Sequence, residues 1–97
     1  MATYVALVNM TEQGIRTAKE IPERLRRNEQ SGAQLGIKMT SWLLTMGAYD
    51  AVATFEAPDD ETAAGAMLAL GMQGNVRTTT MRAFPLAEAE KILGSLG

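Results

Sequence analysis

Neither cysteine nor histidine occurs among the 97 residues. Without cysteine there is no disulfide framework, no thiolate nucleophile and no Cys-based zinc site. Without histidine, imidazole ligation of metal or haem is lost, and with it the commonest general base at neutral pH. These absences prune the enzyme classes hard, and neither a cofactor nor a metal is expected. Excess charge of one sign is missing too: 9 Lys and Arg stand against 11 Asp and Glu, a formal net charge of −2. The chain therefore has no electrostatic footprint for nucleic acid or an anionic membrane. No window approaches about 18 apolar residues, so a membrane span is not expected. The start "MATYVALVNM" lacks a basic segment, which argues against export and makes a cytoplasmic location the default. The length suits a single domain, residues 1–97, folded on one small core.

What is present is an alternation of strand-like and helix-like stretches. Residues 3–10, "TYVALVNM", are aliphatic and β-branched and read as a first strand, with Thr11 placed to cap a helical turn. Pro22 interrupts the helical pattern after Thr11, predicting a short turn there and then a main helix over about residues 22–35, ended by Gly36. On that helix Glu20 with Arg24, and Glu23 with Arg27, are spaced for exposed ion pairs, and "RLRR" at 24–27 reads as a solvated face. Residues 37–46 and 51–57 are two further strands, joined through Gly47, Ala48, Tyr49 and Asp50 in a hairpin. Pro58 and an acidic first turn open a second helix with Ala63, Ala66, Met67 and Leu70 on one face and Gly71 and Gly74 as candidate stops. Residues 75–84 form the fourth strand, and a short helix succeeds Pro85. The order β-α-β-β-α-β with a helical tail predicts an α+β, ferredoxin-like fold.

In that fold both crossover helices cover one face of the sheet and leave the other bare. The alternation agrees: Ala51, Ala53, Phe55 and Ala57 suit packing under helices, while Asp50, Val52, Thr54 and Glu56 point away. A four-stranded face has a footprint of roughly 330 Å². Burying it would return about 8 kcal/mol per subunit, comparable with the roughly 4–15 kcal/mol cost of association. Extra contacts are then needed for a homodimer or higher homo-oligomer, and Leu86, Ile92, Leu93 and Leu96 of the tail can supply them.

Chemistry-bearing residues are few. Asp50 either bonds nearby backbone amides, as turn aspartates do, or sits at the mouth of a cavity as a proton acceptor or ammonium ligand. Tyr49 either packs at an edge or donates its phenol there. Trp42 fills core or interface, or stacks on a ligand, and its strand register decides which. Asn9 closes the first strand as a local cap or faces a ligand. Arg77 and Arg82 form ion pairs or clamp an anion, and Glu56 is a solvated carboxylate or a second acidic group. Gly65, Gly71 and Gly74 make no phosphate-binding fingerprint, and the 7 methionines suit core filling.

The stretches "VALVNMTEQGIR", "TMGAYDAVATFEAPDDE" and "GNVRTTTMRAF" resemble the sequence blocks of the GYD domain family. The resemblance implies a dimeric α/β barrel in which two ferredoxin-like sheets face each other around a chamber, and implies no particular reaction. Gly47, Tyr49, Asp50, Val52 and the "VRTTT" run are also loosely similar to the effector-binding domain of leucine-responsive regulators, without the DNA-binding module that accompanies it there. The reading placed first is a small-molecule-binding homo-oligomer using Asn9, Trp42, Tyr49, Asp50 and Arg82. Beside it stands a cofactor-independent enzyme of isomerase, lyase or monooxygenase type, with Asp50 and Tyr49 as catalytic groups. A third reading is a purely structural assembly module.

Overall fold

The computed structural model describes residues 1–97. Strand β1 (Ala2–Met10) runs through a short α1 (Glu12–Arg16) and a 3-10 turn at Ala18–Glu20 into α2 (Ile21–Gln34). Then come β2 (Lys38–Leu44), β3 (Ala51–Ala57), α3 (Asp60–Met72), β4 (Val76–Ala83) and α4 (Leu86–Gly94). The sheet order is β2-β3-β1-β4 and every neighbouring pair is antiparallel, the ferredoxin-like α+β arrangement. No helix is long and apolar enough to cross a membrane.

Local chemistry sets the element ends. Thr11 caps α1 by accepting from Gly14 N, and Asp59 caps α3 by accepting from Thr62 N at 2.7 Å. Pro22 falls in the first turn of α2, where its missing N–H costs nothing. Gly74, at φ 86°, takes the left-handed conformation that turns the chain from α3 into β4. Gly71, the other expected stop, lies inside α3 instead.

The core lies on one face of the sheet. Along β3 the residues alternate strictly between buried and half-buried, with Ala51, Ala53, Phe55 and Ala57 inward. Tyr4, Ala6 and Val8 of β1 join them, and the Tyr4 and Phe55 rings stack at 5.1 Å with 16° between planes. Four of these inward residues being alanine, α2 and α3 have little side-chain volume to pack against. Only 10 of the 97 residues are buried, and no large side chain is completely so. The chain exposes 6600 Å², where scaling for a compact monomer of its mass gives about 5400 Å². Its radius of gyration, 14.5 Å, likewise exceeds the roughly 12.5 Å of a compact chain of this length. Helix α4 contributes to the excess, since it makes at most sparse contact with the other elements.

The expected ion-pair pattern on α2 is not the one formed. Glu23 pairs with Arg26 at 2.9 Å rather than with Arg27. Arg24 is buried rather than solvated, because it shares the inward stripe with Ile21, Leu25 and Asn28.

The segment after β1 is clamped to the α3–β4 turn. Thr11 N donates to Asn75 O at 3.0 Å, Thr11 Oγ1 donates to Gly74 O at 2.6 Å, and Gln13 Nε2 reaches Asn75 Oδ1 at 2.9 Å. Gly14 is the residue that permits this approach, since a Cβ there would stand 1.9 Å from Asn75 O. Gly14→Ala is therefore expected to lower unfolding stability by about 3 kcal/mol, the upper end of overpacking costs. Gly65→Ala, in the middle of α3 with nothing within 4 Å of the new methyl, should raise it by about 0.5–1 kcal/mol. Urea denaturation of the two variants checks both signs.

Candidate functional site

The hairpin loop between β2 and β3 carries the phenol and carboxylate that the sequence puts side by side. Asp50 is engaged by backbone on three sides. Its N–H donates to Val8 O at 2.8 Å, its C=O accepts from Thr45 N at 2.9 Å, and its Oδ2 accepts from Met10 N at 2.7 Å. The carboxylate thus continues the β1–β3 ladder one step past the last strand pair, Val8 with Ala51, and satisfies a strand-end donor that would otherwise go unpaired. Thr45 Oγ1 donates to Tyr49 O at 2.6 Å and closes the loop, while Gly47 takes φ 112° at its tip. Tyr49 is half-buried, and its hydroxyl makes no hydrogen bond within the chain.

Within one chain the five expected binding residues occupy three places. Asn9 is exposed at the end of β1, opposite Arg77 on β4, and with Asp50 and Tyr49 marks one end of the bare face. Trp42 lies beneath the other face. A bulge between Met39 and Ser41 sets both Thr40 and Ser41 against Thr54, and this extra residue turns Trp42 toward the helices, against the core. Arg82 stands near the opposite end of the sheet, paired with Tyr4, so about six residues or roughly 20 Å of strand separate it from Met10.

Around Arg82 is a cluster that sequence patterning alone did not pick out. The Tyr4 hydroxyl donates to Asp60 Oδ1, and Arg82 Nε lies 3.9 Å from the same oxygen. The guanidinium stands over the Phe84 ring at 4.5 Å and near that of Tyr4 at 5.7 Å. The hydrogen bond to the Asp60 carboxylate holds the Tyr4 phenol above its ordinary pKa, with desolvation adding to the effect and Arg82 opposing it. The available cue was the place of Tyr4 in the inward set of β1 alternation, which obliges its hydroxyl to find a partner.

On the helix side a cleft of about 170 Å³ opens between α2, α3 and the sheet. Its walls include Trp42, Phe55, Met67 and Leu70, and its polar groups include Arg24 and Asn28. This is smaller than the roughly 300 Å³ from which drug-sized ligand pockets start. No group of three or more acidic, His or Cys side chains is disposed to hold a metal ion.

Comparison with known proteins fits this geometry. Residues 4–93 match the GYD domain. The chain belongs to the GYD domain family. A Thermus thermophilus protein, "Glutamine synthetase and cystathionine beta-lyase binding protein", is 35% identical over 89 residues, covering 91% of this chain and 94% of that protein. The crystal structure of TTHA0845 from the same organism aligns with a TM-score of 0.53 at 23% identity, over 88% of this chain and 95% of that one, which is a likeness of fold. The matched GYD region contains both the Asp50 anchor and the Tyr4–Asp60 pair.

Two measurements test these assignments. Asp50→Ala strands the Met10 N–H and should cost about 1–3 kcal/mol in urea unfolding, whereas Asp50→Asn keeps an acceptor and should recover most of it. A phenol whose folded-state pKa is raised contributes stability that is complete below the ordinary 10.0 and is lost as pH rises through the folded-state value. Tyr4→Phe should therefore remove part of the wild-type loss of stability in an alkaline denaturation series. An unchanged pH profile would mean that the Asp60 contact does not act on the phenol.

Proposed function

We propose that this chain is a small binding protein that assembles with copies of itself through the bare face of its sheet and presents the assembly to other proteins. The observation that carries this reading is the composition of that face. Strand register sorts it into rows. Leu43, Val52, Leu7 and Thr79 form one row, and Ser41, Thr54, Val5 and Met81 the next. Charged residues bound these rows at both ends, Lys38 with Glu56 at one and Arg77 at the other. Leu43 is 62% exposed and Met81 46%. An apolar centre between polar ends is the anatomy of a protein interface.

The surface balance supports self-association. The excess of roughly 1200 Å² over a compact monomer exceeds the about 800 Å² per partner of a standard interface. Helix α4 and the residues after it supply what the sheet face alone lacks, since Leu86, Leu93 and Leu96 are all more than 60% exposed. Two such sheets set face to face would enclose a chamber lined by the Ser41 and Thr54 hydroxyls and by Leu7 and Val52, the place for a small-molecule ligand. The relative named for binding glutamine synthetase and cystathionine beta-lyase supports an enzyme as the outside partner. A binding role is preferred to catalysis because the Asp50 carboxylate holds Met10 N and takes part in none of the chain's ion pairs.

Sedimentation velocity at micromolar concentrations should give a dimer or larger species for the wild type. Leu43→Glu, which places a charge in the apolar row at a position already open to solvent, should give a folded monomer. A wild type that sediments as a monomer overturns the assembly and the chamber together.

A further inference from the structure

The helix-side cleft is bordered by a buried cation that has no carboxylate partner. Arg24 is 92% buried in side-chain and backbone surface taken together, its residual exposure being 8%. Buried cations are ordinarily paired with a carboxylate, because burying an unpaired charge is costly. None of the chain's three ion pairs involves Arg24. Its guanidinium is met only by neutral oxygens: Nη1 donates to Thr17 Oγ1 at 3.0 Å and Nη2 to Gly14 O at a long 3.5 Å. Nε makes no hydrogen bond, and since no fully buried side-chain nitrogen lacks a partner, Nε is not completely enclosed. Because Arg24 lines the cleft, a planar cation with spare donors stands at the edge of a mostly apolar space.

We propose that this cleft binds a small apolar monocarboxylate, its carboxylate on Arg24 and its body against Trp42, Phe55, Met67 and Leu70. The guanidinium fork suits a carboxylate better than any neutral head group, since charge-assisted bonds to two oxygens are shorter and stronger than neutral ones. Size limits the body. A cavity of about 150 Å³ lined by aliphatic and aromatic side chains takes up benzene, and the 170 Å³ here is of the same order. Arg24 is the one cation and Glu29 the one acid among the lining groups, so the cleft can neutralise a single negative charge on the ligand and not a second. The ligand class is thus a monoanion with a six-membered ring or a short branched chain. The site lies across the sheet from the bare face and does not depend on assembly.

Trp42 is the chain's only tryptophan and lines the cleft, so its emission reports directly on occupancy. Titration with benzoate should give a saturable change in Trp42 fluorescence. Benzamide, the neutral analogue of nearly the same shape, should bind at least about tenfold more weakly, the loss of about 1.4 kcal/mol expected when a charged bond becomes neutral. Arg24→Gln should abolish the preference for benzoate over benzamide. Ala53→Val narrows the cleft floor without touching Arg24, and should weaken benzoate while circular dichroism stays unchanged, which keeps the test valid if the arginine variant fails to fold. No saturable change, equal affinity for benzoate and benzamide, or unimpaired benzoate binding by Ala53→Val would overturn the proposal.

Discussion

Everything in this molecule derives from one asymmetry, a sheet covered by helices on one side only. The strict alternation of β3 commits Ala51, Ala53, Phe55 and Ala57 to the helices and Val52, Thr54 and Glu56 to the opposite side. A four-stranded layer of this kind cannot turn both faces to its own core, because both crossovers pack on the same side. The bare face remains as surface, and the chain as a whole exposes more area than a compact monomer of its mass. The proposed association would cover this face, and α4 adds an apolar arm that makes at most sparse contact with the rest of the chain.

The covered side has its own deficit. The small inward residues fill little of the space between sheet and helices, and the cleft there is bordered by Trp42 and by a buried arginine without a carboxylate partner. A core built for stability alone would fill this space with larger aliphatic groups and keep Arg24 in solvent. The two sides therefore differ in kind: the proposed assembly would use the broad bare face, and the proposed monoanion the narrow recess.

In the loop carrying Tyr49 and Asp50 the carboxylate serves the backbone. Asp50 has the residue type of a general base, but its oxygen completes the backbone pairing of a strand that ends 40 positions earlier in the chain. The Tyr4–Asp60 contact, spanning 56 positions, is comparable: a phenol committed to the core is satisfied by a carboxylate at the start of α3. In both places the polar group answers a donor stranded by folding.

The order of elements, the antiparallel hairpin, the cap at Thr11, the acidic first turn of α3 and the inward face of β3 were legible in the sequence, because each rests on neighbours within a few residues. So was the narrow chemical repertoire, which the missing cysteine and histidine impose in any conformation. Three matters were decided only in three dimensions. The orientation of Trp42 turns on a one-residue bulge at Thr40 and Ser41, and a shift of one position exchanges the two faces of a strand. The burial of Arg24 depends on α1 and the turn after it arriving over α2, which a run of charges in the sequence disguises as a solvated face. The partner of Asp50 is a backbone amide on another strand, and no local pattern records which distant donor will lack an acceptor once the sheet has closed.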